Sequence, residues 1–255
     1  MKLWNQNSKD KNSVIDHFLS GEDITLDQEL FLYDIEASIA HTHELEKINI
    51  FTKTEARKVI SSLKKLGKLF QTNKFKLTAK YEDCHSAIED FLTKELGSIG
   101  KKIHTGRSRN DQIMVAMRLY AREKLDEIQS INLKVAKAFL DKSDKHSGNP
   151  MPGYTHLQRA VPSSWGLWFG AFAESFLDNA ELFSNTKSWI NVNPLGTAAG
   201  YGVNLPIKRD ISTKELNFKR KQLNSLYVQN SRGKFELELI GALTQPMLDI
   251  RKFSW

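Results

Sequence analysis

The chain has 255 residues, with 37 Lys plus Arg against 30 Asp plus Glu, a formal charge of +7 and 40% hydrophobic residues. This is the mix of a folded globular chain, which excludes disorder, and the length suits one large domain or two smaller ones. Only 6 Pro and 14 Gly punctuate it, which argues against a turn-rich β-sandwich or barrel.

The opening Met1-Lys2-Leu3-Trp4-Asn5-Gln6-Asn7 holds no apolar run and does not read as a secretory signal. Residues 22–66 read as helices: Leu26, Leu30, Tyr33, Ala37 and Ala40 recur at steps of three or four. A second amphipathic stretch runs from Thr54 to Leu66 and is expected to end at Gly67. A short strand is drawn over Gln71 to Lys80. A third helix fits Glu82 to Leu96, ahead of Gly97 and Gly100. The strongest signal starts at Asp111 and runs to about Asp144 with neither Gly nor Pro. Met114, Met117, Ala121, Leu125, Ile128, Asn132, Val135 and Phe139 keep one face apolar over many turns. A helix this long needs long neighbours, in the same chain or in others. Pro162, as a first helical residue, predicts the next helix over 162–184. The last begins near Asn230 and carries Phe235, Leu239, Leu243 and Met247 around Pro246; the sequence stops while it is still periodic.

No stretch approaches the roughly 20 apolar residues of a membrane span, so no membrane association is expected. The lone cysteine, Cys84, excludes an intrachain disulfide framework and reads as a half-buried small residue. A cytoplasmic protein follows from these readings. The lysines between Lys53 and Lys80 lack regular aromatic interleaving and read as a solvated face, so no nucleic-acid partner is expected.

Three polar or glycine-rich segments lie between the long helices, where chemistry concentrates on a rigid scaffold. The first is His104-Thr105-Gly106-Arg107-Ser108-Arg109-Asn110-Asp111. It meets a helix N-terminus, whose free N–H groups favour anions. Arg107 and Arg109 offer planar donors for a carboxylate, Ser108 and Asn110 add neutral hydrogen bonds, and Asp111 suits a cap. The second is Met151-Pro152-Gly153-Tyr154-Thr155-His156-Leu157-Gln158. The position of Pro162 puts Thr155 and His156 in the approach to its helix, where an imidazole can act as acid or base near neutrality. The third, Asn193-Pro194-Leu195-Gly196-Thr197-Ala198-Ala199-Gly200-Tyr201-Gly202, permits close backbone approach but matches neither a phosphate loop nor a dinucleotide fingerprint. His41 and His43 stand two apart and face different ways on a helix, His85 lies at a helix start, and no His-Glu-x-x-His occurs. Neither a metal site nor a cofactor is expected.

Together these segments resemble the argininosuccinate lyases of the aspartase and fumarase superfamily. The likeness rests on Asp34-Ile35-x-x-Ser38-Ile39-Ala40-His41, Glu82-Asp83-x-His85, His104 to Gln112, Met151 to Ala160 and Pro194-Leu195-Gly196. It implies an all-α fold: a small N-terminal helical domain, residues 1–106, followed by the first part of a central long-helix bundle, residues 107–255. It also implies a homotetramer that reversibly β-eliminates argininosuccinate to arginine and fumarate in arginine biosynthesis. By motif position His156 is the catalytic histidine, as base or part of its relay. Asn110 and Thr155 bind substrate, with Arg109 and Ser108 nearby. Ser20 matches an N-terminal substrate-binding serine, and His85 supports the site from behind.

Three departures stand out. The family's N-terminal Gly-Gly-Arg-Phe is replaced by Asn5-Gln6-Asn7-Ser8, and its Asp-Arg-Asp run by Asn230-Ser231-Arg232-Gly233-Lys234. The mobile Gly-Ser-Ser-x-Met-Pro-x-Lys-x-Asn loop, which supplies a catalytic serine and a lysine, is absent from the 255 residues. The resemblance implies that each site draws on three subunits, so the chain reads as an N-terminal piece, inactive alone. Another fumarate-releasing lyase, such as one acting on adenylosuccinate, and a non-catalytic helical assembly protein remain open.

Overall fold

The computed structural model describes residues 21–78 and 80–255. These pack as two units. One holds residues 21–120 together with Asn191–Arg232; the other holds Ala121–Ile190 with Gly233–Trp255. The expected cut at 106/107 follows chain order, whereas this grouping follows packing within a single chain. Among the described residues the fold is all-α apart from two short two-stranded ribbons.

In the first unit, helix α1 (Asp23–Lys47) packs on α2 (Lys53–Gln71) and α3 (Cys84–Leu96). Phe31, Ile35, Leu45, Val59, Leu63, Leu66, Ile88 and Leu92 form its core. Thr52 opens α2 with a reciprocal box: its hydroxyl accepts the Glu55 N–H, and Glu55 accepts the Thr52 N–H. Gly67 does not end α2, which continues to Gln71. A Cβ there would stand 3.7 Å from Ile35 and 3.8 Å from Leu32, so this glycine faces α1 within the helix. Leu26 is 61% exposed, because Asp27 takes the inward position and accepts the Cys84 N–H at 2.8 Å. The strand drawn over 71–80 is not found among the described residues. The chain turns after α2 instead, with the Lys74 and Phe75 N–H groups on the Leu69 carbonyl, and Phe75 stacks on Phe31. Short helix α4 (Ser98–Lys101) and a 3-10 turn (Lys102–His104) lead to the long helix α5 (Arg109–Lys145).

The returning segment of this unit carries β3 (Val192–Asn193), α7 (Asp210–Glu215), β4 (Arg220–Lys221) and α8 (Ser225–Asn230), with β3 and β4 paired in parallel. Leu195, Leu216 and Phe218 join Ala37, Ala40, Val115 and Leu119 in a second apolar cluster.

With 37 residues, α5 is about 55 Å long at 1.5 Å per residue. Its predicted stripe holds, since every position from Met114 to Phe139 in that series is buried or half-buried. In the second unit a hairpin follows, β1 (Pro150–Thr155) and β2 (Gln158–Ser164), and then α6 (Trp165–Ile190) and α9 (Lys234–Ser254). The helix predicted from Pro162 therefore starts three residues later. Pro152 and Pro162 face each other in the hairpin, where both strands are edges and a missing N–H is tolerated. Ser164 caps α6 instead, its hydroxyl accepting the Leu167 N–H at 3.0 Å. Phe139 gathers Phe169, Phe172, Phe176 and Phe253 at centroid distances of 5.1 to 6.3 Å. Within α9, Phe235, Ala242 and Pro246 are buried, while Met247 of the predicted stripe is 61% exposed.

Candidate active site

The N-terminus of α5 is built by a reciprocal cap. The Ser108 hydroxyl accepts the Asn110 N–H at 3.3 Å, and Asp111 Oδ1 accepts the Ser108 N–H at 2.7 Å. Ser108 is thus the cap, and Asp111 its partner one turn in. The other oxygen of Asp111 reaches the glycine-rich loop. Oδ2 accepts the N–H groups of Gly196, Thr197 and Ala198 at 2.9, 3.0 and 2.9 Å. Burial pushes the Asp111 carboxyl up, and the N–H groups of Ser108 and Ala198 oppose that shift. Arg209 donates to the loop carbonyls of Leu195 and Asn193 at 2.7 and 3.1 Å and to the Gln222 carbonyl after β4 at 2.7 Å. Gly196, with φ at +80°, lets the Arg209 side chain approach; a Cβ there would stand 3.1 Å from Arg209 Cγ. One acid on the amides and one guanidinium on the carbonyls hold the loop against the start of α5.

Ser108, Arg109 and Asn110 open onto a cleft of about 650 Å³ that also meets Glu89, Lys101 and His104. The Arg109 guanidinium is engaged, its Nη1 lying 2.9 Å from both Glu82 and Asp83. Arg107 does not face the cleft. It is buried, donates to Ser38 Oγ at 2.9 Å, and leaves its Nε without a hydrogen-bond partner. Burial and the Arg107 charge hold the His104 imidazole below its usual range. The Asn110 amide donates to Ser108 Oγ at 3.2 Å and accepts from Arg232 Nη1 at 2.8 Å. Ser108, Arg109 and Asn110 are therefore together in the first unit.

Thr155 and His156 belong to the second unit, at the hairpin end. His156 and Leu157 have φ of 49° and 61°, and Thr155 pairs with Gln158 across them. Two left-handed residues between antiparallel strands are the tight hairpin turn that matches strand twist. His156 is thus a turn residue, not part of an approach to a helix, and Thr155, His156 and Leu157 are all exposed. Ser20 lies outside the described residues.

Comparison with known proteins adds to this geometry. The profile of a family described as lyase matches residues 10–255. The chain belongs to this lyase family. It is 49% identical over 253 residues to the argininosuccinate lyase of Xanthomonas campestris pv. campestris (strain B100), covering 99% of this chain and 59% of that protein. It is 47% identical to the argininosuccinate lyase of Stenotrophomonas maltophilia (strain R551-3), with the same coverage. The chain thus spans about three-fifths of the length of these relatives. An EDDS lyase variant with bound fumarate shares the fold, with a TM-score of 0.75 at 24% identity over 98% of this chain and 50% of that one.

Behind the cleft lies a buried polar group between α1 and α3. His85 Nδ1 stands 2.6 Å from Asp34 Oδ2, and Cys84 Sγ 3.6 Å from His85 Nδ1. Burial works to raise the Asp34 carboxyl, but the His85 and Arg107 charges outweigh it and hold it low. Burial likewise opposes the His85 charge, and Asp34 outweighs it. Burial and the neighbouring Asp34 push the Cys84 thiol well up. Arg209 and Arg232 also organise the candidate site, beyond the residues the sequence points to, and Asp111 does more there than cap the helix. The Ser-x-x-Asp spacing of a capping box signalled half of Asp111's role. Nothing local signals Arg209, whose partners lie 13 to 16 residues away.

Proposed function

We propose that the protein acts as an argininosuccinate lyase, cleaving argininosuccinate to arginine and fumarate by reversible β-elimination. The observation that carries the reading is the cleft at the α5 N-terminus, where Ser108 and Asn110 present neutral donors at a positive helix end. That is what a dicarboxylate needs, and charge that develops on a carboxylate during elimination is stabilised by such donors. Asn110 and Ser108 hold the substrate, Arg109 shapes the cleft wall through Glu82 and Asp83, and Thr155 and His156 come from the hairpin. His156 takes the proton beside the carboxylate, directly or by relay. Ser20 contributes a hydroxyl.

On this reading the intact protein is a cytoplasmic homotetramer of arginine biosynthesis. Its N-terminal domain is 1–106 and its bundle domain starts at 107. Each site combines residues of different copies, so an exposed His156 in one copy serves the cleft of another. The departing nitrogen needs a proton donor, which the family's serine loop supplies and these 255 residues do not contain.

The test is fumarate release from argininosuccinate by the chain alone and by the chain joined to the C-terminal two-fifths of the Xanthomonas enzyme. The chain alone is expected to be slower by about 10²- to 10⁴-fold, the typical worth of one acid–base group. A helical, soluble chimera that releases fumarate from adenylosuccinate but not from argininosuccinate, or from neither, would overturn the reading.

A further inference from the structure

We infer that Asp34, Cys84 and His85 form a binding site for a thiophilic divalent cation of the zinc or cobalt class, independent of the lyase reading. Three donor atoms of different elements converge there. Cys84 Sγ lies 3.6 Å from His85 Nδ1 and 3.9 Å from Asp34 Oδ2, and Nδ1 lies 2.6 Å from Oδ2. All three residues are buried. Zinc binds thiolate, imidazole and carboxylate at about 2.0–2.3 Å in a tetrahedron, so donors stand about 3.3–3.8 Å apart. The two edges at sulfur already have that length within about 0.1 Å. The third is a hydrogen bond, which opens when the ion replaces its proton.

A second observation points the same way. Asp34 is fully buried and its Oδ1 lacks a well-formed hydrogen bond, with only the Gln112 side chain and the Arg107 charge acting on the carboxylate besides His85. Asp27, two turns before Asp34 on α1, accepts the Cys84 N–H at 2.8 Å and so fixes the start of α3 beside Asp34. The donors sit on two packed helices rather than on a loop, and no local spacing signals them because Asp34 lies 50 residues from Cys84.

The charge balance also closes. Binding a divalent ion releases the Cys84 thiol proton and the proton shared by His85 and Asp34 to solvent, so two positive charges replace two and no electron moves. The neighbouring cations are accounted for: Arg109 is paired with Glu82 and Asp83, and Arg107 faces Asp34 from α5's approach.

The experiment adds cobalt(II) to the folded chain and, separately, during refolding, so that burial cannot hide the site. The expected result is one equivalent per chain, with a near-ultraviolet thiolate-to-cobalt band and the visible bands of tetrahedral cobalt. Cys84→Val, a near-isosteric apolar change, should abolish the thiolate band and weaken binding at least tenfold while leaving the helical circular dichroism intact. His85→Gln should weaken binding as much. The absence of a saturable thiolate band by both routes, or equal cobalt affinity in Cys84→Val, would overturn the inference.

Discussion

Asp111 and Thr197, 86 residues apart in sequence, meet through a 3.0 Å hydrogen bond from the Thr197 N–H to a carboxylate oxygen that takes two further amides. The same carboxylate caps Ser108, so it couples the loop to the helix end that bears Asn110. Asp111→Ala leaves four buried or half-buried N–H groups without their acceptor. At about 1–3 kcal/mol for each group that water fails to reach, a loss of at least about 3 kcal/mol is expected in urea unfolding. Asp111→Asn keeps one acceptor oxygen and should lose less. Equal stability of the alanine variant and the parent would show that the loop is held by other contacts.

The hairpin turn separates two roles that a single substitution at His156 would otherwise mix. Its φ of 49° suits asparagine, which tolerates the left-handed region. His156→Asn should therefore keep the hairpin and remove only the imidazole. In the complete enzyme formed by joining the chain to the rest of a relative, turnover should fall by about 10²- to 10⁴-fold, with circular dichroism and thermal midpoint nearly unchanged. Unchanged turnover would remove His156 from the mechanism.

How much of this was legible in sequence follows from where the information sits. The α5 stripe was readable because its period is local and no Gly or Pro interrupts it. The cleft residues were readable because Ser108, Arg109 and Asn110 are contiguous. The hairpin was hidden because Pro162 reads equally well as a helix start, while the turn is made by His156 and Leu157 rather than by the Gly or Asn that usually mark one. Gly67 was misread as a stop because a glycine that permits helix contact looks the same in sequence as one that ends a helix. The Asp111–Arg209 clamp was hidden for another reason: both side chains act on backbone groups distant in the chain, and backbone groups carry no residue signature.

Two glycines in the second unit should respond to alanine with opposite sign. A Cβ on Gly166 would stand 2.6 Å from Ser147 Cα and 2.7 Å from the Ser143 carbonyl, both backbone atoms of the segment before the hairpin. Something must move, and overpacking of this kind costs about 1–3 kcal/mol. Gly241 lies inside α9, exposed, with nothing within 4 Å of its would-be Cβ. There alanine relieves the entropy cost of glycine in a helix and should stabilise by about 0.5–1 kcal/mol. Urea midpoints of the two variants, measured beside the parent, decide both signs.

The acid limb of stability offers a test on the first unit. Glu55 accepts from Lys102 Nζ at 2.7 Å and from the Thr52 N–H at 2.8 Å. The Lys102 hydrogen bond first, and then the Thr52 N–H, hold its carboxyl down to about 2 from an ordinary 4.5. A depressed carboxylate contributes stability that is present above its unfolded value and is lost as the pH falls through its folded one. The contribution of Glu55 should thus be whole above pH 4.5 and vanish between there and pH 2. Glu55→Gln keeps an acceptor for Thr52 but carries no charge for Lys102. Its urea midpoint should lie below the parent's at pH 7, and the gap should close on acidification across that window. A gap that stays constant down to pH 2 would assign the effect to packing or to the cap rather than to the ion pair.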